Sequence, residues 1–182
     1  MSFRIRVAEP KDAEALHALM HEAFTPLREM GIDWSSVNAD LDMVRRNMEK
    51  GTVFVLEQEG KIISTITVRY PWIGQRRNSI YPFLWWFATD PEYGGQGYGS
   101  ELLTFVEETY LRDTLKVPAV TLGTSAKTHP WLLKIYQHRG YVVYHERERD
   151  DGDINAFMYK VLIPDRFDKE VLGTPPPKKR KS

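Results

Sequence analysis

The sequence predicts a single α/β domain in which a mixed β-sheet carries helices on both faces. Its 182 residues suit one domain with a sizeable core, and 42% of them are hydrophobic. Segments with strand and helix periodicity follow the order β-α-α-β-β-β-α-β-α-β-β. This order places the domain at residues 1–164. Residues 165–182 lose the periodicity, and we expect them to form a poorly ordered tail rich in proline and lysine.

The first half of the chain is predicted to supply four strands and two helices. Strands are recognised by alternation or by apolar runs between turn residues, and helices by apolar positions three and four apart. The elements are a strand at 3–7, a helix that starts after Pro10, a helix at 38–49, strands at 52–56 and 62–70 joined at Glu59-Gly60, and a strand at 81–89. This last strand is apolar and aromatic throughout, which predicts burial on both faces.

The second half is predicted to alternate helices and strands and to end in a hairpin. Proline suits the first turn of a helix and glycine its end, which sets the bounds of the last helix. The elements are a helix with the apolar stripe Leu102, Phe105, Val106 and Thr109, a strand at 117–123, a helix from Pro130 to Gly140 with Leu132, Ile135 and Tyr136 on one face, and strands at 141–145 and 154–162 joined at 150–153.

Composition excludes several classes of protein. The chain has no cysteine, which excludes disulfides, a thiolate nucleophile and cysteine-ligated zinc, and fits a reducing compartment. No apolar run approaches the ~20 residues of a membrane span, and the N-terminal segment lacks a signal peptide's apolar stretch. Basic and acidic residues number 25 each, but a basic run at 178–181 leaves the body mildly acidic. We expect a cytoplasmic protein that binds neither membranes nor nucleic acid, with the basic run as a solvated tail.

A cluster of glycines lies between a predicted strand and a predicted helix. Its members are Gly94, Gly95, Gly97 and Gly99. Backbone N–H groups in such a loop can converge on an anion, and the start of the following helix favours negative charge. The pattern is not a P-loop, since Ser100-Glu101 follows the last glycine, and not a dinucleotide fold, since the loop follows the fourth strand. The loop is therefore either a pyrophosphate site or a tight strand-to-helix turn.

Two segments of the chain carry recognisable motifs. Residues 89–99 read Thr-Asp-Pro-Glu-Tyr-Gly-Gly-Gln-Gly-Tyr-Gly, and residues 135–141 read Ile-Tyr-Gln-His-Arg-Gly-Tyr. They are similar to the Val-x-Pro-x-Tyr, Arg/Gln-Gly-x-Gly-x-Gly/Ala and Leu-Tyr-x-x-x-Gly-Phe motifs of the GNAT superfamily of N-acetyltransferases. The order of the motifs matches, and the resemblance covers residues 3–163. One position departs from the pattern, because Gly94 replaces the usual arginine or glutamine.

The resemblance implies a fold, a cosubstrate and a set of site residues. The sheet would be mostly antiparallel, with six to seven strands and a central splayed parallel pair. Acetyl-CoA would bind with its pantetheine arm along Phe87, Ala88 and Thr89 and with its pyrophosphate on the amides of Gly95, Gln96, Gly97, Tyr98, Gly99 and Ser100. The acetyl group would pass to a primary amine by direct attack in a ternary complex, and Tyr136 would protonate the departing thiolate as general acid.

The general base stays open at the level of sequence. No carboxylate occurs from Ile80 to Thr89, so a water chain or another residue would remove the proton from the amine. His129 is a candidate, although we favour a helix-capping or CoA-contacting role for it. His17 and His21 are one helical turn apart, but no third ligand is nearby in sequence, so we expect no metal.

The acceptor and the level of activity also stay open. Small-molecule and peptide amines both suit the pattern, and large aromatics would line either the acceptor groove or the core: Trp34, Tyr70, Trp72, Trp85 and Trp86. The alternative function is a catalytically weak acyl-CoA-binding sensor, which Gly94 and the missing strand carboxylate favour and Tyr136 opposes. The open end strands of the sheet make a homodimer possible.

Overall fold

The computed structural model describes residues 2–73 and 79–173. Its strands are β1 (Arg4–Val7), β2 (Gly51–Gln58), β3 (Lys61–Arg69), β4 (Phe83–Thr89), β5 (Ala119–Ser125), β6 (Val142–Glu148) and β7 (Ile154–Val161). Its helices are α1 (Ala13–Ala23), α2 (Thr25–Glu29), α3 (Leu41–Lys50), α4 (Tyr98–Thr104), which Phe105–Thr114 continues in π-helical geometry, and α5 (Pro130–His138). The described strands form one sheet in the order β1-β2-β3-β4-β5-β7-β6, antiparallel except for the pair β4-β5. The predicted mixed α/β class is confirmed.

The chain divides into two compact units. The first comprises Met1–Arg69 with Leu84–Tyr110, and the second comprises Tyr70–Phe83 with Leu111–Ser182. The core of the first unit contains apolar side chains of α1, α3, β2 and β3 together with Trp86 of β4. The second unit buries apolar side chains of β5 and β7. The domain limits expected from the sequence, 1–164 and 165–182, stay predictions.

The hairpin formed by β2 and β3 confirms the prediction made from its turn residues. Glu59 and Gly60 connect the strands, and both have left-handed backbone angles, with φ of 52° and 81°. A two-residue turn with both residues in this region matches the right-handed twist of the flanking strands. Glycine adopts this conformation without strain, which explains why the Glu-Gly pair marks the turn.

The helices depart from the predicted bounds and faces at several positions. In the π-helical segment, Thr109 of the predicted stripe is exposed. The helix predicted at 38–49 begins at Leu41, because the Asp40 side chain accepts a hydrogen bond from the Met43 N–H at 2.8 Å and so caps it. In α5, Leu132 and Tyr136 of the predicted face are half-buried, but the Ile135 side chain is 52% exposed. Among the described residues, no helix is long and apolar enough to cross a membrane.

The apolar composition of β4 predicted burial on both faces, and this prediction is wrong. The strand begins at Phe83, and its residues alternate between half-buried and buried from there to Thr89. Leu84, Trp86 and Ala88 are the buried set. The other set leaves aromatic side chains half exposed, so aromatic composition here reflects a surface as well as a core.

The segment after residue 164 contains packed structure where the sequence predicted a poorly ordered tail. It forms 3₁₀ turns at Pro164–Arg166 and Lys169–Leu172, and Leu172 is buried. The Tyr81 hydroxyl donates to the Asp168 carbonyl at 3.1 Å and accepts from the Asp168 N–H at 3.0 Å. These contacts are distant in sequence, so local periodicity does not reveal them. The basic run at 178–181 lies outside the described residues.

Candidate active site

The glycine junction, residues 89–98, connects β4 to α4. Gly95 and Gly97 have φ of 72° and 87°, in the left-handed region that glycine adopts without strain. A Cβ at either position would meet no atom within 4 Å, so the backbone conformation and not crowding requires glycine. Gly94 has an ordinary extended backbone, with φ of −60° and ψ of 145°. Its conformation would therefore suit the arginine or glutamine that the motif usually has.

Gly99, in the first turn of α4, serves a different purpose. A Cβ there would lie 2.9 Å from Thr89 Oγ1 and 3.3 Å from Phe87 Cζ, which is too close unless these side chains move. The start of the helix thus packs directly against the side chains of Phe87 and Thr89 at the end of β4. On the other side of this contact, the Ser64 hydroxyl donates to the Ala88 carbonyl at 3.1 Å. Packing holds Phe87, Ala88 and Thr89 in place beside the helix.

The backbone N–H groups just before α4 are available to an anion. The N-terminal groups of a helix have no acceptor within the helix, and the N-cap residue here is Gly97, which has no side chain to supply one. Residues 94–97 are exposed. In the described part of the chain, no hydrogen bond engages the N–H groups of Gly95, Gln96 or Gly97. Backbone donors and the positive end of the helix therefore meet at this junction.

Asp90 anchors the glycine junction to its neighbour β3. Its N–H donates to the Ile63 carbonyl at 2.8 Å, and its carboxylate accepts from the Glu92 N–H at 3.0 Å. The Lys61 ammonium pairs with the same carboxylate at 3.0 Å and lies 5.0 Å from the centre of the Tyr93 ring. The hydrogen bond to Asp90 raises the pKa of Lys61. The loop is therefore held in shape before any ligand binds.

Trp86, in the middle of β4, has a left-handed backbone with φ of 51°. This conformation costs a residue other than glycine about 1–2 kcal/mol. It distorts the regular strand, because the neighbouring rings of Trp85 and Trp86 stack 5.3 Å apart when successive side chains normally point to opposite faces. Each indole N–H is hydrogen-bonded, that of Trp85 to Asn47 Oδ1 at 3.0 Å and that of Trp86 to Ser35 Oγ at 3.2 Å.

The serine junction, residues 125–130, connects β5 to α5 and is closed by side chains. The Ser125 hydroxyl donates to Asp153 at 2.5 Å and accepts from the His129 N–H at 3.1 Å. The same carboxylate accepts from the N–H groups of Lys127 and Thr128, at 3.2 and 2.9 Å. His129 is 1% exposed, with Nδ1 3.3 Å from Ser125 Oγ. Its burial at the N-cap position of α5 favours a structural role at the start of this helix over that of the general base.

Hydrogen bonds control the charge of Asp153. Burial raises the pKa of this carboxyl, but the Ser125 hydroxyl and the backbone N–H groups of Thr128, Ile154 and Lys127 outweigh it and lower the pKa from 3.8 to about 2. The carboxylate is therefore ionised at neutral pH. The hydrogen bonds that it accepts come from the Ser125 hydroxyl and from backbone N–H groups, so its negative charge stabilises the serine junction.

Tyr136, the predicted general acid, lies in α5 and is half-buried. Its ring meets that of Tyr141 edge to face, with centroids 5.7 Å apart and planes at 74°. This packing fixes the plane of the ring. The tyrosine and the glycine that ends the helix belong to one motif, because Gly140 adopts φ of 92° and so turns the chain into β6.

Comparison with known proteins identifies the family. The model of the acetyltransferase (GNAT) domain matches residues 49–143. An S-alkylcysteine N-acetyltransferase of Bacillus subtilis is 56% identical over 170 residues, which are 93% of this chain and 95% of that protein. An S-(2-succino)cysteine N-acetyltransferase of the same organism is 46% identical over 165 residues, 91% of this chain and 99% of that protein.

The chain belongs to the GNAT acetyltransferase family. The resemblance inferred from the two motifs and the prediction of an acetyltransferase enzyme are both confirmed. This GNAT acetyltransferase also shares its fold with a solved aminoglycoside 6′-N-acetyltransferase complexed with coenzyme A. The TM-score is 0.64 at 14% identity, over 91% of this chain and 99% of that one. The roles assigned to Tyr136 and to the glycine junction stay predictions.

The aromatic and histidine residues considered earlier for the acceptor groove or a metal site lie in different surroundings. Tyr70 and Trp72 stack with centroids 5.0 Å apart, and Trp72 is 61% exposed, so it is not a core residue. The ring centroids of His17 and His21 lie 6.5 Å apart, and Arg28 Nη2 lies 3.3 Å from His21 Nε2. Over residues 2–73 and 79–173, no group of three or more potential ligands is placed to hold a metal ion.

Asn47 is a site feature that the sequence analysis missed. It lies on the inward face of α3, where its side chain is buried and donates to Thr67 Oγ1 at 2.8 Å while accepting from Trp85. A polar residue at an apolar position of a helical pattern is the signal that marks it. Because a buried amide needs partners, such a residue indicates a fixed contact with a neighbouring element.

Proposed function

We propose that this acetyltransferase moves the acetyl group of acetyl-CoA to the α-amino group of an S-substituted cysteine. The observation that carries the proposal is the similarity to two N-acetyltransferases of cysteine derivatives, at 56% and 46% identity over nearly the whole of each chain. The sulfur substituents named for these relatives differ, alkyl in one and 2-succino in the other. Their shared part, a cysteine with a modified sulfur, is therefore the substrate class that we assign.

The glycine junction supports acetyl-CoA as the acetyl donor. The amides from Gly95 to Ser100 would hold the pyrophosphate, because the loop is exposed, preshaped and begins a helix. The backbone groups of Phe87, Ala88 and Thr89 would bind the pantetheine arm at the end of β4. No arginine or glutamine at position 94 adds a side-chain contact, so backbone groups carry the binding.

The chemistry requires no covalent enzyme intermediate, and the chain has no cysteine to form one by thiolate attack. The neutral amine attacks the thioester carbon, a C–N bond forms and the C–S bond breaks. The amine gives up one proton, and the Tyr136 hydroxyl supplies one to the CoA thiolate. Water or another side chain removes the amine proton, since buried His129 is engaged with Ser125.

Release of the CoA thiol over a panel of amines tests this function. We expect S-methylcysteine and S-(2-succino)cysteine to react faster than spermidine or a peptide. With the better acceptor, Tyr136→Phe should lower kcat by ~10²-fold and leave CoA affinity unchanged, because the hydroxyl acts only as the thiolate forms. Tyr144→Phe is the matched control, since among the described residues the Tyr144 hydroxyl has no hydrogen-bond partner.

Three outcomes would contradict the proposal. An unchanged kcat in Tyr136→Phe removes this residue from the role of acid. A wild-type enzyme that prefers polyamines or peptides overturns the assigned substrate class. Binding of CoA without turnover of any amine favours the sensor, and CoA should then still stabilise the fold, by about 2.7 kcal/mol at 100 times its Kd.

A further inference from the structure

Arg69, the last residue of β3, is a half-buried cation without a counter-ion. Its guanidinium carbon lies 5.0 Å from the centre of the Trp85 ring. Its Nε is buried without a hydrogen-bond partner, and within the described ranges no carboxylate is paired with it. Arg6 in β1 shows how a half-buried arginine is usually paired, since its guanidinium binds the carboxylates of Asp12 at 2.7 Å and Glu57 at 3.0 Å.

This arrangement leaves a positive charge ready for an anion. Burial lowers the pKa of Arg69 from its ordinary value, yet an arginine stays protonated at neutral pH. The aromatic face beneath it offsets part of the lost hydration. It does not replace the hydrogen bonds of the guanidinium, whose planar fork of donors fits a carboxylate with two parallel bonds.

The surroundings hold Arg69 and its aromatic support in one geometry. Trp85 donates to Asn47, and Asn47 donates in turn to Thr67 through a buried hydrogen bond, so these contacts fix the plane of the indole. The stem of Arg69 packs on Gly51, where an added Cβ would lie 2.8 Å from Arg69 Cδ. A site that is fixed before binding loses less entropy when its ligand arrives.

We propose that the Arg69 guanidinium, stacked on Trp85, binds the α-carboxylate of the amino-acid acceptor. The inference rests on the proposed function, in which the acceptor is a cysteine derivative with a free carboxylate. It is supported by the place of Trp85 in β4, two residues before Phe87, where the predicted acetyl-CoA arm begins. Arg69 is thus a specificity-determining residue that selects amino acids over simple amines.

Kinetics with two matched acceptors test the assignment. S-methylcysteine has one carboxylate, and 2-(methylthio)ethylamine is the same molecule without it. For Arg69→Met we expect the ratio of kcat/KM values, amino acid over amine, to fall by ~10²-fold, because a buried charge pair is lost. Because the same ratio is compared between the wild type and the variant, the different intrinsic reactivity of the two amines cancels. Arg69→Lys should lower this ratio less, since charge survives but the fork does not.

Arg45→Met is the control, because Arg45 is exposed and pairs only with Asp42 in α3 among the described residues. It should leave the ratio unchanged. An equal loss on both acceptors in Arg69→Met would show a structural role and overturn the proposal. So would a loss confined to S-(2-succino)cysteine, which would place Arg69 at a carboxylate of the succino group. If Arg69→Met does not fold, an unchanged ratio in Arg69→Lys overturns it instead.

The same assay separates this inference from the proposed function. A wild-type enzyme that acetylates neither acceptor contradicts the function itself. A wild-type enzyme that acetylates both, with a ratio of kcat/KM values that is unchanged in Arg69→Met, retains acetyltransferase activity but contradicts the carboxylate site.

Discussion

The glycine junction and the serine junction both turn a strand into a helix, but they satisfy their backbone groups in opposite ways. At the serine junction, Asp153 and Ser125 accept the N–H groups of Lys127, Thr128 and His129. At the glycine junction, the residue before the helix is a glycine in the left-handed conformation, and no side chain caps the helix among the described residues.

The difference shows how similar local topology is given different tasks. Side-chain acceptors at the serine junction bind the N–H groups of the loop that precedes α5, so this loop has fewer backbone donors to offer an anion. Glycines at the other junction keep the N–H groups exposed and the loop narrow, which suits a phosphate group. The first arrangement contributes stability, and the second keeps hydrogen-bonding capacity for a ligand.

Gly97→Val should have the largest effect on binding. A β-branched residue is strained at φ of 87°, so the loop must change shape, and we expect CoA affinity to fall by at least ~10²-fold. Gly60→Val is the matched control, because Gly60 has φ of 81° and equally open surroundings in the β2–β3 turn. Isothermal titration with CoA and thermal melts measure both variants.

Both glycine variants should lose similar stability, and only Gly97→Val should lose CoA affinity. Equal CoA affinity in the two variants would contradict the assigned role of the glycine junction. Loss of affinity in Gly60→Val alone would also contradict it, because that turn has no proposed part in binding.

Asp153→Asn should have the smaller and complementary effect. The lowered pKa means that ionised Asp153 stabilises the fold above its unfolded pKa of 3.8, and that this contribution disappears as pH falls towards about 2. The variant should lose about 2 kcal/mol at neutral pH and show less acid sensitivity from pH 4 to 2. Denaturant unfolding across this range measures it.

The control for this substitution is Asp165→Asn, an exposed carboxylate in a 3₁₀ turn. Its stability should follow the wild-type pH dependence. The CoA affinity of Asp153→Asn should change far less than that of Gly97→Val. A variant at Asp153 with wild-type stability and greatly weakened CoA binding would reverse the roles of the two junctions.

The sequence predicted those features whose cause is local. The order of elements, the turn at Glu59-Gly60 and the glycine junction follow from residues adjacent in the chain. The family motifs also lie in two short segments, which explains why the acetyltransferase family could be recognised from the sequence alone.

The features that escaped prediction depend on contacts between distant segments. Asp153 closes a junction 28 residues before it, and Trp85 binds an amide 38 residues before it. The left-handed backbone of Trp86 results from tertiary packing, because tryptophan has no intrinsic preference for it. The exposure of Ile135 likewise depends on how α5 packs, which helical periodicity alone does not specify.

Backbone amide resonances offer the most direct test of the contrast between the two junctions. Proton–nitrogen spectra of the labelled protein would be recorded with CoA and with pantetheine, which lacks the pyrophosphate. We expect CoA to shift the amides of Gly95, Gln96 and Gly97 well beyond any shift caused by pantetheine, and the amides of Lys127 and Thr128 to respond equally to both ligands. Identical spectra with the two ligands, or a pyrophosphate-dependent shift centred on Lys127 and Thr128, would contradict the account.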